Sequence, residues 1–101
     1  MASSLELQAL LEKLIGSRNV YFQPPASVQM KYPAIRYSRD GIENKVANDA
    51  VYNQIYSYEV IVIDRDPDSV ILGKVSILPM CRFVRHYVAD NLNHDVFKLY
   101  F

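Results

Sequence analysis

Leucines at 7, 10, 11 and 14 recur at three- and four-residue steps, which places one apolar stripe along a helix near the start of the chain. Leu5 and Ile15 extend the stripe, while Glu6, Gln8, Glu12 and Lys13 lie off it. Ser3 and Glu6 stand at capping-box spacing, and Gly16 supplies the C-terminal stop. Such a stripe either covers the protein's own sheet or docks on a neighbouring subunit. The period then shortens. Residues 19–23 (NVYFQ) are strand formers, closed by Pro24-Pro25 because successive prolines cannot continue a ladder. Residues 34–39 (AIRYSR) alternate, with Ile35 and Tyr37 to one side and Arg36 to the other. Asp40-Gly41 has the composition of a two-residue hairpin turn. From residue 42 to 53 the pattern fits either a solvent-exposed return strand or an ordered loop.

The strongest strand is 57–64 (SYEVIVID), whose near-continuous apolar character is that of a strand buried on both faces, at the centre of a sheet. After it, Asp66 can cap a helix and Pro67 suits a first helical position. That predicts a helix over 67–78, with Val70, Ile71, Val75 and Leu78 facing inward and Pro79 ending it. A hairpin closes the pattern: 80–89 (MCRFVRHYVA), a turn at 90–92, then 94–101 (HDVFKLYF). Strict alternation puts Phe83, Arg85 and Tyr87 on one face and Val84, His86 and Val88 on the other. The run Leu99-Tyr100-Phe101 is apolar enough to require burial, in its own sheet or against a partner. The fold class expected is α+β: a mainly antiparallel sheet flanked by an N-terminal helix and a second helix after the central strand, in one domain spanning 1–101.

Composition narrows the role of such a domain. Eleven Lys and Arg balance eleven Asp and Glu, which argues against binding nucleic acid mainly through phosphate contacts. The single cysteine, Cys81, excludes an internal disulfide and a Cys-based zinc knuckle, and fits a reducing compartment. No stretch reads as a signal peptide or a membrane span. Tyrosine occurs eight times and tryptophan not at all; a ring with a wet hydroxyl suits half-buried strands and subunit interfaces.

The acidic run Asp64, Asp66 and Asp68 has the alternate carboxylates that begin a calcium loop. Ser69 stands where that loop needs glycine and Val75 where it needs glutamate, so calcium binding of that type is not expected. A metal-dependent phosphodiesterase holding Mg²⁺ on Asp64, Asp66 and Asp68 is the enzymatic alternative. The plainer reading is a helix-capping acidic turn, since carboxylates there accept from N–H groups and favour the dipole. His86 and His94, with Asp90 and Asp95 nearby, match no familiar zinc spacing. No nucleophile elbow and no phosphate-cradling glycine loop is present. The expectation is therefore no catalytic residue, no metal and no cofactor. Arg36 and Arg39, with Arg82 and Arg85, suggest positive strips on two strands that pair with acidic groups across a subunit contact.

Three stretches carry a family likeness: 32–45 (YPAIRYSRDGIENK), 58–69 (YEVIVIDRDPDS) and 78–101 (LPMCRFVRHYVADNLNHDVFKLYF). They resemble small tail-completion proteins of long-tailed bacteriophages and prophages, with tail terminators the nearest group. The resemblance implies a non-enzymatic subunit that forms a ring, commonly hexameric, at the head–tail junction. It implies the tail-tube protein and the head-connector or neck proteins as partners, with DNA passing through the lumen without specific recognition. It also implies residence in the virion tail or neck after assembly in the bacterial host cytoplasm, with no membrane involved. Residues expected at assembly contacts are Arg36, Tyr37, Arg39, Arg82, Arg85, Tyr100 and Phe101. A monomeric protein-binding adaptor is the other non-enzymatic alternative.

Overall fold

The computed structural model describes residues 4–47 and 50–101, with side chains described for 4–44 and 54–101. The chain forms α1 (Ser4–Ile15), β1 (Val20–Phe22), β2 (Ala34–Ala47), β3 (Ala50–Asp64), α2 (Val70–Ser76), β4 (Cys81–Ala89) and β5 (Leu92–Tyr100). The five strands make one sheet in the order β1-β2-β3-β5-β4. Only β1 and β2 run parallel; the other three pairings are antiparallel. The fold is therefore α+β with a mostly antiparallel sheet, and β3 is its central strand, as its unbroken apolar run predicts. No helix among the described residues is long and apolar enough to cross a membrane.

α1 lies on one face of the sheet through the leucine stripe. Leu7 and Leu11 are fully buried, and Leu10, Leu14 and Ile15 pack around them. Leu5 departs from the stripe at 79 % exposure, because two residues before Leu7 is about 200° around the helix. Ser3, the expected cap, lies outside the described residues. Gly16 ends the helix at φ 76° with its N–H on the Glu12 carbonyl, a left-handed stop that favours glycine. Beneath α1 the sheet presents Ile35, Tyr37, Tyr58, Val60, Val62, Phe97 and Leu99, all buried. Each such aliphatic or aromatic side chain stabilises the fold by about 1.5–3 kcal/mol relative to exposure. The opposite face is covered only in part. Residues 23–33 cross it from β1 to β2 and set Met30 and Tyr32 against Ile61, Ile63, Leu92 and Val96.

Four local expectations change. Asp40-Gly41 is not a hairpin turn: β2 runs through it, and Asp40 is an extra residue between the pairs Arg39–Tyr58 and Gly41–Ser57. A two-residue turn of that kind needs positive φ at its central residues, which neither adopts. Asp90 and Asn91 do adopt it, at φ 53° and 60°, and form the tight turn of the last hairpin. Of the segment 42–53, residues 42–47 are strand in β2 and 50–53 are strand in β3, and 48–49 lie outside the described residues. α2 is shorter than 67–78. It begins after Ser69, whose hydroxyl accepts from the Ile71 N–H, so Asp66 and Pro67 precede the helix instead of starting it. Ile71 and Val75 face inward and Leu78 packs at the margin, but Val70 points outward at 76 % exposure. Finally, a bulge at Val84 breaks the alternation of β4, where Phe83 pairs with Phe97 and Arg85 with Val96. Phe83 and Arg85 consequently lie on opposite faces.

The β2–β3 hairpin outruns the rest of the sheet. β5 pairs with β3 only from Ser57 to Asp64, and β1 pairs with β2 only at Ile35, Arg36 and Tyr37. Beyond Gly41 and Ser57 the two strands form a ribbon by themselves, projecting about 20 Å at roughly 3.4 Å per residue. The molecule is accordingly elongated, 51 Å by 25 Å by 23 Å.

Candidate assembly surfaces

β4 is the conspicuous surface. Every residue from Arg82 to Val88 is exposed, including Phe83 at 55 % and Val88 at 62 %, and among the described residues no strand lies on its outer side. The bulge brings Arg82 and Arg85 to the same, uncovered face of the sheet, where alternation alone separates them. On that face Arg36, Ile61, Val96 and Arg85 form one cross-sheet row, and Ser38, Glu59, Lys98 and Arg82 form another. Arg36 and Arg85 are thus three strand spacings, about 14 Å, apart. The side chains of Arg36 and Arg82 make no hydrogen bond or ion pair with the described residues, and Arg85 sits over the Tyr87 ring at 5.5 Å. A trough of about 220 Å³ runs here between Asp40, Glu59, Arg82, Val84, Val96 and Lys98. Lys98 reaches Asp40 at 3.5 Å and the Tyr100 ring at 5.4 Å; Tyr100 first, then Asp40, raise its ammonium above the ordinary pKa.

One expected contact residue is core, and one expected strip does not form. Arg39 is exposed but on the opposite face from Arg36, over the Tyr56 ring at 5.0 Å, so the two make no strip. Tyr37 is core, at 1 % exposure. Its parity with Ile35 sends it under α1, where its hydroxyl donates to Gln8 Oε1 at 2.7 Å and lies 3.1 Å from the Ser4 carbonyl. Burial, with Tyr58 and Glu12 nearby, pushes its pKa up to about 12. The C-terminal pair is half-buried: the Phe101 N–H bonds the Tyr56 carbonyl, and the Tyr100 hydroxyl donates to Glu43 at 3.1 Å. Beside them, Leu10, Leu78, Pro79, Met80, Leu99 and Phe101 line an apolar groove of about 290 Å³.

The acidic turn spends its carboxylates on its own backbone. Asp64 Oδ1 accepts from the Asp66 N–H at 3.1 Å, and Asp66 Oδ1 from the Asp68 N–H at 2.9 Å. No group of three His, Cys, Asp or Glu among the described residues is placed to hold a metal ion. The two histidines also diverge. His86 Nδ1 meets Asp95 Oδ1 at 2.8 Å on the helix side, whereas His94 stacks on Tyr87 at 4.6 Å on the uncovered side. Cys81 is not poised as a nucleophile, since burial pushes its thiol pKa up.

Exposed Phe83, Val84 and Val88, the lone ribbon, and Ile42 and Glu43 on it are features that residue spacing did not single out. No run of alternation marks the ribbon, because the bulge at Asp40 puts Ile42 out of the period of Ile35 and Tyr37. Comparison of the chain with protein-family models and with curated proteins finds no match to either.

Proposed function

We propose that this chain is a non-enzymatic virion subunit of the tail-completion type, acting by head-to-tail self-association into a ring at the phage head–tail junction. The observation that carries the reading is β4, a nine-residue edge strand with exposed Phe83, Val84 and Val88 and, among the described residues, no strand on its outer side. Soluble proteins usually shield such an edge, and an apolar one left open is a site for another chain. The lone β2–β3 ribbon supports the same reading, because a two-stranded hairpin is marginal in water and gains stability when covered. In this role the tail-tube protein and the head-connector proteins take the two rims of the ring, and the carboxylates of Asp64 and Asp66 shape a turn.

Light scattering coupled to size-exclusion chromatography, over a range of concentrations, tests the reading together with electron microscopy. The expected result is a mass several times that of the monomer, with annular particles. A strict monomer at every concentration, with no binding to tail tubes, would contradict it.

A further inference from the structure

Resting on that self-association reading, we infer which surfaces meet: β4 of one copy pairs antiparallel with the outer edge of β2, from residue 41 onward, in the next copy. The strand directions permit it. β2 and β5 run one way and β3 and β4 the other, so two copies placed side by side in the same sense set β4 antiparallel to the neighbour's β2. The receiving edge is open. β1 covers β2 only at residues 35–37, the Gln23 N–H reaches Tyr37, and Gln23 Oε1 accepts from the Arg39 N–H. Past that point no described residue bonds the outer side of β2. The stretch of β3 beyond Tyr56, whose carbonyl takes the Phe101 N–H, faces the same flank as β4, so head-to-tail contact does not reach it.

The two edges are complementary face by face. On the uncovered face β4 offers Arg82 and Arg85, and β2 offers exposed Glu43 with Asp40 at the bulge. On the helix side β4 offers Phe83 and Val88, and β2 offers Ile42, half exposed. Pairing β4 with a second β4 about a two-fold axis instead gathers the Arg82 and Arg85 side chains of both copies, and like charges across a ladder are destabilising. Geometry adds a constraint. Within its own sheet Arg85 is level with Arg36, so reaching a neighbour near residue 44 staggers the copies by about eight residues, roughly 27 Å. A head-to-tail contact with such a stagger closes into a ring when the strands incline to its axis, and otherwise runs on as a filament.

The test uses the full chain with Cys81→Ser, which removes the only cysteine. Glu43→Cys in one copy and Arg82→Cys, Arg85→Cys or Tyr87→Cys in another are mixed and oxidised. The expected result is a 43-to-β4 disulfide at one of the three positions, and a ladder of multimers when both cysteines share a chain. Cross-linking between two β4 strands, stopping at dimers, would overturn the inference. So would absence of any cross-link in a protein that still scatters as an oligomer, which leaves self-association standing and removes only this contact. A monomer throughout would remove both. Charge reversal gives an independent readout. Arg82→Glu/Arg85→Glu alone and Glu43→Arg alone are each expected to weaken association by at least about tenfold, and their equimolar mixture to restore it. No recovery in the mixture, with both variants folded, counts against the pairing.

Discussion

Beside β2 the chain finishes its sheet with three residues of β1, a Pro24-Pro25 stop and the Gln23 side chain, which satisfies one more backbone N–H. Beside β5 it leaves β4 from Arg82 to Val88 exposed, with no strand among the described residues on its outer side. The first flank shows how this chain closes an edge where closure serves the monomer. The second is bulged at Val84 and carries Arg82 and Arg85, two devices that discourage indiscriminate pairing, yet it exposes Phe83 and Val88. An edge that is both guarded and apolar is selective. It resists the wrong strand and rewards one with acidic and apolar groups in register, which is the character of Ile42 and Glu43 on the far side of the same molecule.

Substitutions sharpen the contrast between the closed body and the open flank. Leu11→Ala, in the fully buried stripe of α1, is expected to lower unfolding free energy by about 2–5 kcal/mol in urea titrations. Tyr37→Phe removes the bond to Gln8 and is expected to lower it by about 1–2 kcal/mol. The same variant has a pH signature. The unfolded phenol ionises near 10.0 and the folded one near 12, so the contribution of Tyr37 is complete below pH 10 and is lost as pH rises towards 12. Wild-type stability should therefore fall relative to Tyr37→Phe across that window, by up to about 1.4 kcal/mol per pH unit; parallel curves would refute the assignment. Ser69→Ala removes the cap of α2 and is expected to cost about 1 kcal/mol by the same titration.

Tyr58→Phe runs the other way. Its buried hydroxyl has no hydrogen-bond partner, so thermal melting of the variant should show equal or higher stability, by up to about 1 kcal/mol. Val88→Thr, on the open flank, should leave monomer unfolding within about 0.5 kcal/mol while weakening association measured by sedimentation. If it destabilises the monomer as Leu11→Ala does, the flank belongs to the body and the contrast fails.

Elements whose patterns are local were readable from the residues: the leucine helix with its glycine stop, the apolar central strand, and the closing hairpin around Asp90-Asn91. The departures in the strands share one physical cause. Asp40-Gly41 and the Val84 position are bulges, where one inserted residue resets which side chains share a face, and composition does not distinguish a bulge from a turn or from plain alternation. Hence Arg82 and Arg85 come together, whereas Arg36 and Arg39, three residues apart ahead of the Asp40 bulge, lie on opposite faces by plain alternation. Tyr37 was misjudged for a different reason: its aromatic ring and hydroxyl suit an interface or a core equally, and only the position of Gln8 on α1 decides between them.

Hydrogen–deuterium exchange of the protein at low and high concentration tests the central claim most directly. Amides of β4 and of β2 beyond residue 41 should gain protection together as concentration rises, while those of β1, which lies outside the inferred contact, stay unchanged. Protection that rises on β4 without β2, or on neither while the protein self-associates, would contradict the account.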